Sequence, residues 1–124
     1  MILRTFNTGT VTMTAATASS TISDVTGRIK SIAIKPSGTS TDFRISIKKA
    51  GVTEYILGTS AGVSILAAGE VFYPVVLRVT NDNGALTATG NTFGEICLDS
   101  QDITITVSNG TAAETYSVEI LVEE

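Results

Sequence analysis

Apolar and Thr/Ser positions alternate along this chain in short runs, with no helix-length segment between them. Phe43-Arg44-Ile45-Ser46-Ile47-Lys48, Ile103-Thr104-Ile105-Thr106-Val107 and Tyr116-Ser117-Val118-Glu119-Ile120-Leu121-Val122 all follow this rule. Successive side chains of a strand point to opposite faces, so each run predicts one buried face and one wet face. The pattern places Ile32, Ile34, Phe43, Ile45, Ile47, Ile103, Ile105, Val107, Val118 and Ile120 in one core.

Turn residues divide the runs into about nine short strands. Ile2 to Phe6 is a short apolar opening, cut off by Asn7-Thr8-Gly9, and reads as an edge strand or as an arm on a neighbouring subunit. Val11, Met13 and Ala15 share one face. Thr17–Ser23 reads as a polar loop with a brief pairing near Ile22, and Val25-Thr26-Gly27 turns the chain into a strand over Arg28–Lys35. Pro36–Thr41 is a loop, because Pro lacks a ladder donor and Gly relaxes the backbone. A hairpin is expected across it, with Ile34 facing Phe43 and Ile32 facing Ile45. Shorter strands are expected at Thr53–Leu57 and Val63–Leu66. Pro74, inside the apolar run Glu70–Val79, argues for a sheet edge or a bulge. Asn81–Gly94 reads as an extended irregular loop. Gly94–Leu98, Asp102–Val107 and Thr115–Val122 complete the set, with Asn109-Gly110 beginning the turn between the last two.

Short strands without helices indicate an all-β fold, an antiparallel two-sheet β-sandwich of jelly-roll or immunoglobulin-like Greek-key topology. An immunoglobulin domain proper is disfavoured by the absence of a Cys pair and of Trp. A length of 124 residues fits a single domain, 1–124, with 1–9 as the N-terminal arm if the opening segment leaves the fold.

The chain is 43% hydrophobic and only 16% charged, and Thr and Ser fill positions where Lys or Glu often stand. Thr keeps strand propensity while offering water a hydroxyl, so the expected surface is soluble, weakly charged and suited to close packing. The net charge of −4 argues against nucleic acid as a partner. Residues 1–50 carry seven basic side chains against two acids, net +5, whereas residues 51–124 carry Arg78 against ten acids, net −9. Basic strands pairing with acidic strands inside the fold would account for this division. So would a dipolar module whose basic face meets an acidic partner or a copy of itself. No basic segment followed by an unbroken apolar stretch opens the chain, and no run nears the roughly 18 apolar residues of a spanning helix. The expectation is synthesis and folding in a cytoplasm and no membrane partner.

Catalytic chemistry has little to work with. With no His and one Cys, the usual nucleophile–base pairs and His/Cys zinc sites are missing. Cys97, between Ile96 and Leu98, reads as a small buried apolar residue. Asn81-Asp82-Asn83-Gly84 looks like the start of a calcium loop, but the Glu required at the twelfth position is absent, and Asn-Gly is also a plain turn signal. Asp99 and Asp102 read as loop carboxylates. Neither a metal nor a cofactor is expected. Phe43, Tyr73 and Tyr116 fall on the apolar phase of their strands and read as core, while Phe93 sits in the irregular stretch and stands as a candidate contact.

The order Val25-Thr26-Gly27-Arg28-Ile29-Lys30-Ser31-Ile32-Ala33-Ile34-Lys35-Pro36-Ser37-Gly38, then Phe43–Ile47, Tyr73-Pro74 and Ile103–Gly110, resembles the small Thr-rich β-sandwich virion proteins of tailed bacteriophages. These include capsid decoration (cement) proteins and head-fibre bases. The resemblance covers roughly residues 25–50 and 70–122 and rests on strand spacing and turn residues. It implies a non-enzymatic protein on the outer capsid surface of the virion. Its partners would be the major capsid protein lattice and itself, as a homotrimer. The expected contacts are Ile2, Leu3 and Phe6 of the arm, Arg44, Lys48 and Lys49 toward an acidic shell, and Phe93. The alternative is a tail or fibre adhesin, or a glycan-binding module, with Asn81–Gly94 and Phe93 carrying recognition.

Overall fold

The computed structural model describes residues 2–38, 41–57, 62–65, 68–73, 75–82 and 85–124, with the backbone alone at 49, 75–82 and 85–95. These residues are all-β, and the strands pair antiparallel. In chain order they are β1 (Leu3–Asn7), β2 (Val11–Thr12), β3 (Ala18–Pro36), β4 (Thr41–Lys49), β5 (Val52–Leu57), β6 (Val63–Ile65), β7 (Glu70–Phe72), β8 (Val75–Asp82), β9 (Ala85–Glu95), β10 (Cys97–Ser108) and β11 (Thr115–Glu123). The main sheet runs β1-β11-β3-β10-β4-β5 and does not close into a barrel. β2 continues the β1 edge along β11, β6 continues the β5 edge along β4, and β7 adds to β3.

The 19-residue β3 organises everything else. Its first half pairs with β10, from Ala18↔Val107 to Arg28↔Cys97. Its second half pairs with β11 on the opposite edge, from Arg28↔Glu123 to Pro36↔Tyr116. Three irregularities bend it. Asp24 and Ser100 adopt left-handed φ of 58° and 49° where the β3–β10 register slips, and Lys30 is an extra residue opposite Leu121/Val122. Bulges of this kind bend a strand and shift its inward phase. The buried positions accordingly change from Ile22 to Val25 and Ile29, and then to Ile32, Ile34 and Pro36. Gly27 sits within this bend at φ 128°, and a Cβ there would stand 2.5 Å from Val122 Cγ1.

Because of the bend, the sheet curls over its own inward face. β11 and β4 are three strand spacings apart in the sheet order, roughly 14 Å if the sheet were flat. Yet Phe43 on β4 and Tyr116 on β11 form an edge-to-face pair with ring centroids 5.6 Å apart. All ten side chains expected in the core are buried, in one cluster with Val25, Ile29, Ile65 and Tyr116. Burying each contributes roughly 1.5–3 kcal/mol.

Several expectations are corrected. Thr17–Ser23 is not a loop: from Ala18 onward it is strand, with Ser19 and Thr21 outward and Ile22 inward. The hairpin between Arg28–Lys35 and Asp42–Lys49 does not form. Ile32 and Ile34 pair instead with Ile120 and Val118, and Phe43 and Ile45 pair with Val107 and Ile105. Residues 81–82 and 85–94 are not an irregular loop but parts of β8 and β9, which pair as a separate two-stranded sheet; Thr-rich sequence has strand propensity despite its polarity. Asn83 and Gly84, between the partners Asp82 and Ala85, lie outside the described residues. Cys97 is exposed, because Ile96 and Leu98 take the inward phase. Asp99 and Asp102 lie in β10 beside its bulge. Tyr73 is 75% exposed rather than core, since the chain leaves the sheet after β7. Pro74 lies outside the described residues.

Candidate functional site

The sheet edges carry the exposed apolar surface. Among the described residues, the exposed large hydrophobics are Ile2, Leu3, Val52, Tyr55, Val71 and Tyr73. The first two belong to the β1 end, the next two to β5, and the last two to β7 and its exit. All three strands have a single strand partner. An edge strand presents backbone groups to solvent, and apolar side chains on it mark a place where another chain can add.

Of the arm residues, Leu3 and Phe6 lie in β1, which pairs with β11 of the same chain from Leu3↔Glu123 to Asn7↔Glu119. Phe6 is half-buried and packs on the core, while Ile2 and Leu3 stay exposed. Arg44 and Lys48 share the outward phase of β4, on either side of Ser46; Arg44 is half-buried and Lys48 exposed. Lys49 ends β4, and its side chain lies outside the described atoms. Phe93 pairs in register with Leu77 in the β8–β9 hairpin, and its side chain is likewise outside the described atoms. The structure therefore brings Arg44 and Lys48 onto one face and leaves Ile2 and Leu3 at an edge across the sheet order.

Register reveals a surface that alternation alone does not. Thr21, Thr104, Ser46 and Tyr55 form one row across β3, β10, β4 and β5. Ser19, Thr106 and Arg44 form the next. A depression of about 590 Å³ lies here, lined by Thr21, Ser46, Lys48, Ser100, Gln101 and Thr104 among others. Hydrogen bonds between residues distant in sequence run beside it. Gln101 Nε2 donates to the Lys48 carbonyl (2.9 Å), the Ser100 N–H donates to Thr26 Oγ1 (2.9 Å), and the Asp24 N–H donates to Asp102 Oδ1 (3.1 Å). Only the outward phase of each strand is legible without pairing; the row is a product of tertiary register.

Part of the charge division is internal. Arg28 and Lys30 both reach the nearly buried Glu123, Lys30 at 3.8 Å, and Arg4 Nε lies 3.1 Å from Glu124. Basic residues of the first half thus meet Glu123 and Glu124 within one molecule. Among the described residues, no cluster of His, Cys, Asp or Glu could hold a metal ion. Among the described residues, no helix is long and apolar enough to cross a membrane. No family model matches the chain, and no curated protein or solved structure matches it.

Proposed function

We propose that this chain is a non-enzymatic virion structural protein that packs against an assembled phage capsid, on its outer surface, as a homo-oligomer. Its fold is a two-layer antiparallel sandwich; the Phe43–Tyr116 contact and the curl of the sheet at β3 support that reading. One observation carries the function: exposed large apolar side chains collect at the edges β1, β5 and β7, while Ser and Thr predominate in the outward rows across β3, β10 and β4. Such a surface suits neighbours placed side by side, with edges meeting apolar partners and hydroxyl faces meeting polar ones. A protein that binds the closed shell but not its separated subunits stabilises the shell by linkage. The test is co-sedimentation of purified protein with undecorated shells and, separately, with free capsid subunits. Preference for the assembled shell supports decoration, and equal binding to both contradicts it.

The hydroxyl-lined depression over Ser46 and Thr104 favours a second reading, a tail or fibre module that binds host-surface glycans. Side-chain hydroxyls, an amide and an ammonium offer both donors and acceptors to sugar hydroxyls. Glycan-array binding abolished by Ser46→Leu, without binding to shells, would favour it over decoration.

A further inference from the structure

The β8–β9 hairpin forms a two-stranded sheet of its own, and neither of its outer edges has a strand partner among the described residues. Two strands alone are marginally stable in water; a further strand or a packed face is needed to hold them. The register shows which edge is open. Residues 89–92 of β9 stand opposite the single Arg78, between the pairs Leu77↔Phe93 and Val79↔Ala88. This insertion shifts the phase of β9, so that Val75, Leu77, Val79, Leu86, Ala88 and Phe93 share one face. It also distorts β9 as an edge, since bulges bend and twist a strand away from further pairing. β8 carries no insertion and offers a run of 8 residues, Val75–Asp82.

We propose that β8 pairs antiparallel with β8 of a second copy of this chain, about a two-fold axis at Thr80, so that Arg78 of each copy stands opposite Asp82 of the other. The inference rests on the self-association in the reading above and names its contact. Arg78, Thr80 and Asp82 share the second face of β8, and Arg78 is the only basic residue after Lys49. Within the hairpin neither charge has an opposite charge in register: residues 89–92 hold no acid, and Asp82 pairs with Ala85. Arg78 and Asp82 are themselves four residues apart along β8, roughly 13 Å. Charge then selects the register between copies. Centring the pair on Thr80 gives two opposite-charge cross-strand pairs, which are stabilising. Centring it on Arg78 or Asp82 would set like charges opposite each other. Centring it on Leu77, Val79 or Asn81 would leave neither charge opposite its complement. A two-fold axis through an antiparallel pair is perpendicular to the sheet, so the apolar faces of both hairpins lie on the same side. The product is a four-stranded sheet, β9-β8-β8-β9, with one continuous apolar face. The contact is isologous and closes as a dimer.

The test is sedimentation velocity of the full chain over a concentration series, joined to cysteine cross-linking. The intact protein should dimerise, and Arg78→Asp should weaken the dimer by about tenfold or more, because both cross-strand pairs turn repulsive. Arg78→Asp combined with Asp82→Arg should restore it, since the exchange recreates both pairs. For cross-linking, Cys97 is first replaced (Cys97→Ser), because it is exposed. Thr80→Cys should then form a disulfide-linked dimer under oxidised glutathione: opposed residues at the axis lie roughly 4.5–5.5 Å apart, within disulfide reach. Thr87→Cys, on the same face of β9, should not, because the two copies of that position are three strand spacings apart, roughly 14 Å. If Arg78→Asp alone loses native circular dichroism, the exchanged variant and the cross-link carry the test. A monomeric intact protein, a charge exchange that fails to restore the dimer, or cross-linking at Thr87 equal to that at Thr80 would each overturn the contact. A monomer that still binds shells counts against this contact alone, and dimers that ignore shells count against decoration alone.

Discussion

The hydroxyl of Tyr116 on β11 meets the hydroxyl of Ser20 on β3, although the register partner of Tyr116 on that same strand is Pro36. Sixteen residues of straight strand span roughly 50 Å, far beyond a tyrosine's reach. One side chain therefore touches both halves of a strand that has folded over on itself. The bulges at Asp24 and Lys30 and the glycine at 27 make this geometry available, and Tyr116 ties it shut.

Tyr116→Phe should remove that tie while keeping the ring against Phe43. The expected loss is about 1 kcal/mol, close to the net worth of a hydrogen bond, whereas Tyr116→Ala should cost about 3–5 kcal/mol through the cavity it leaves. Urea denaturation of both variants measures the difference. Equal losses would mean that the ring packing contributes little.

Ile105 is fully buried and Thr104, one step away, is half-buried in the outward row. Ile105→Ala should destabilise by about 2–5 kcal/mol and Thr104→Ala by under about 1 kcal/mol. Similar losses at the two positions would contradict the assigned phase of β10.

Gly27→Ala should cost at least about 2 kcal/mol, since a Cβ would meet Val122 and the Glu123 carbonyl in a left-handed backbone. Gly51 also has positive φ but nothing within 4 Å of its Cβ position, so Gly51→Ala should cost nearer 1 kcal/mol. Thermal melts of the pair distinguish crowding in the bend from backbone strain alone.

The buried phase of nearly every strand was legible in the sequence, because a half-buried strand writes its environment into alternate residues. Phe43, Ile45, Ile103, Ile105, Val118 and Ile120 are buried as that rule requires. Partner choice was not legible. Ile32 and Ile34 match Phe43 and Ile45 as well as they match Ile120 and Val118, so the apolar pattern could not select β11 over β4. Ser19 and Thr21 read as loop on polarity alone, and Cys97 is not placed by the sequence because a three-residue apolar run has no phase of its own. At the candidate surface, Ile2 and Leu3 stood out as apolar residues beside a turn.

Arg44 and Lys48 should steer docking toward an acidic shell. Single exposed charge pairs contribute near 0–1 kcal/mol, so most of the affinity must come from several copies binding together. Reversing both charges, Arg44→Glu with Lys48→Glu, should slow association with undecorated shells at low salt and matter less as ionic strength rises. Stopped-flow light scattering reads the rate. An association rate indifferent to both salt and charge reversal would remove these residues from the contact.

The proposed decoration role is tested most directly by quantitative mass spectrometry of purified virions from any phage found to carry this sequence. The account predicts the protein in fixed ratio to the major capsid protein, at high copy, and lost from particles that have been stripped without breaking the shell. Its absence from virions, or its presence only at the few copies a tail fibre requires, would contradict the account.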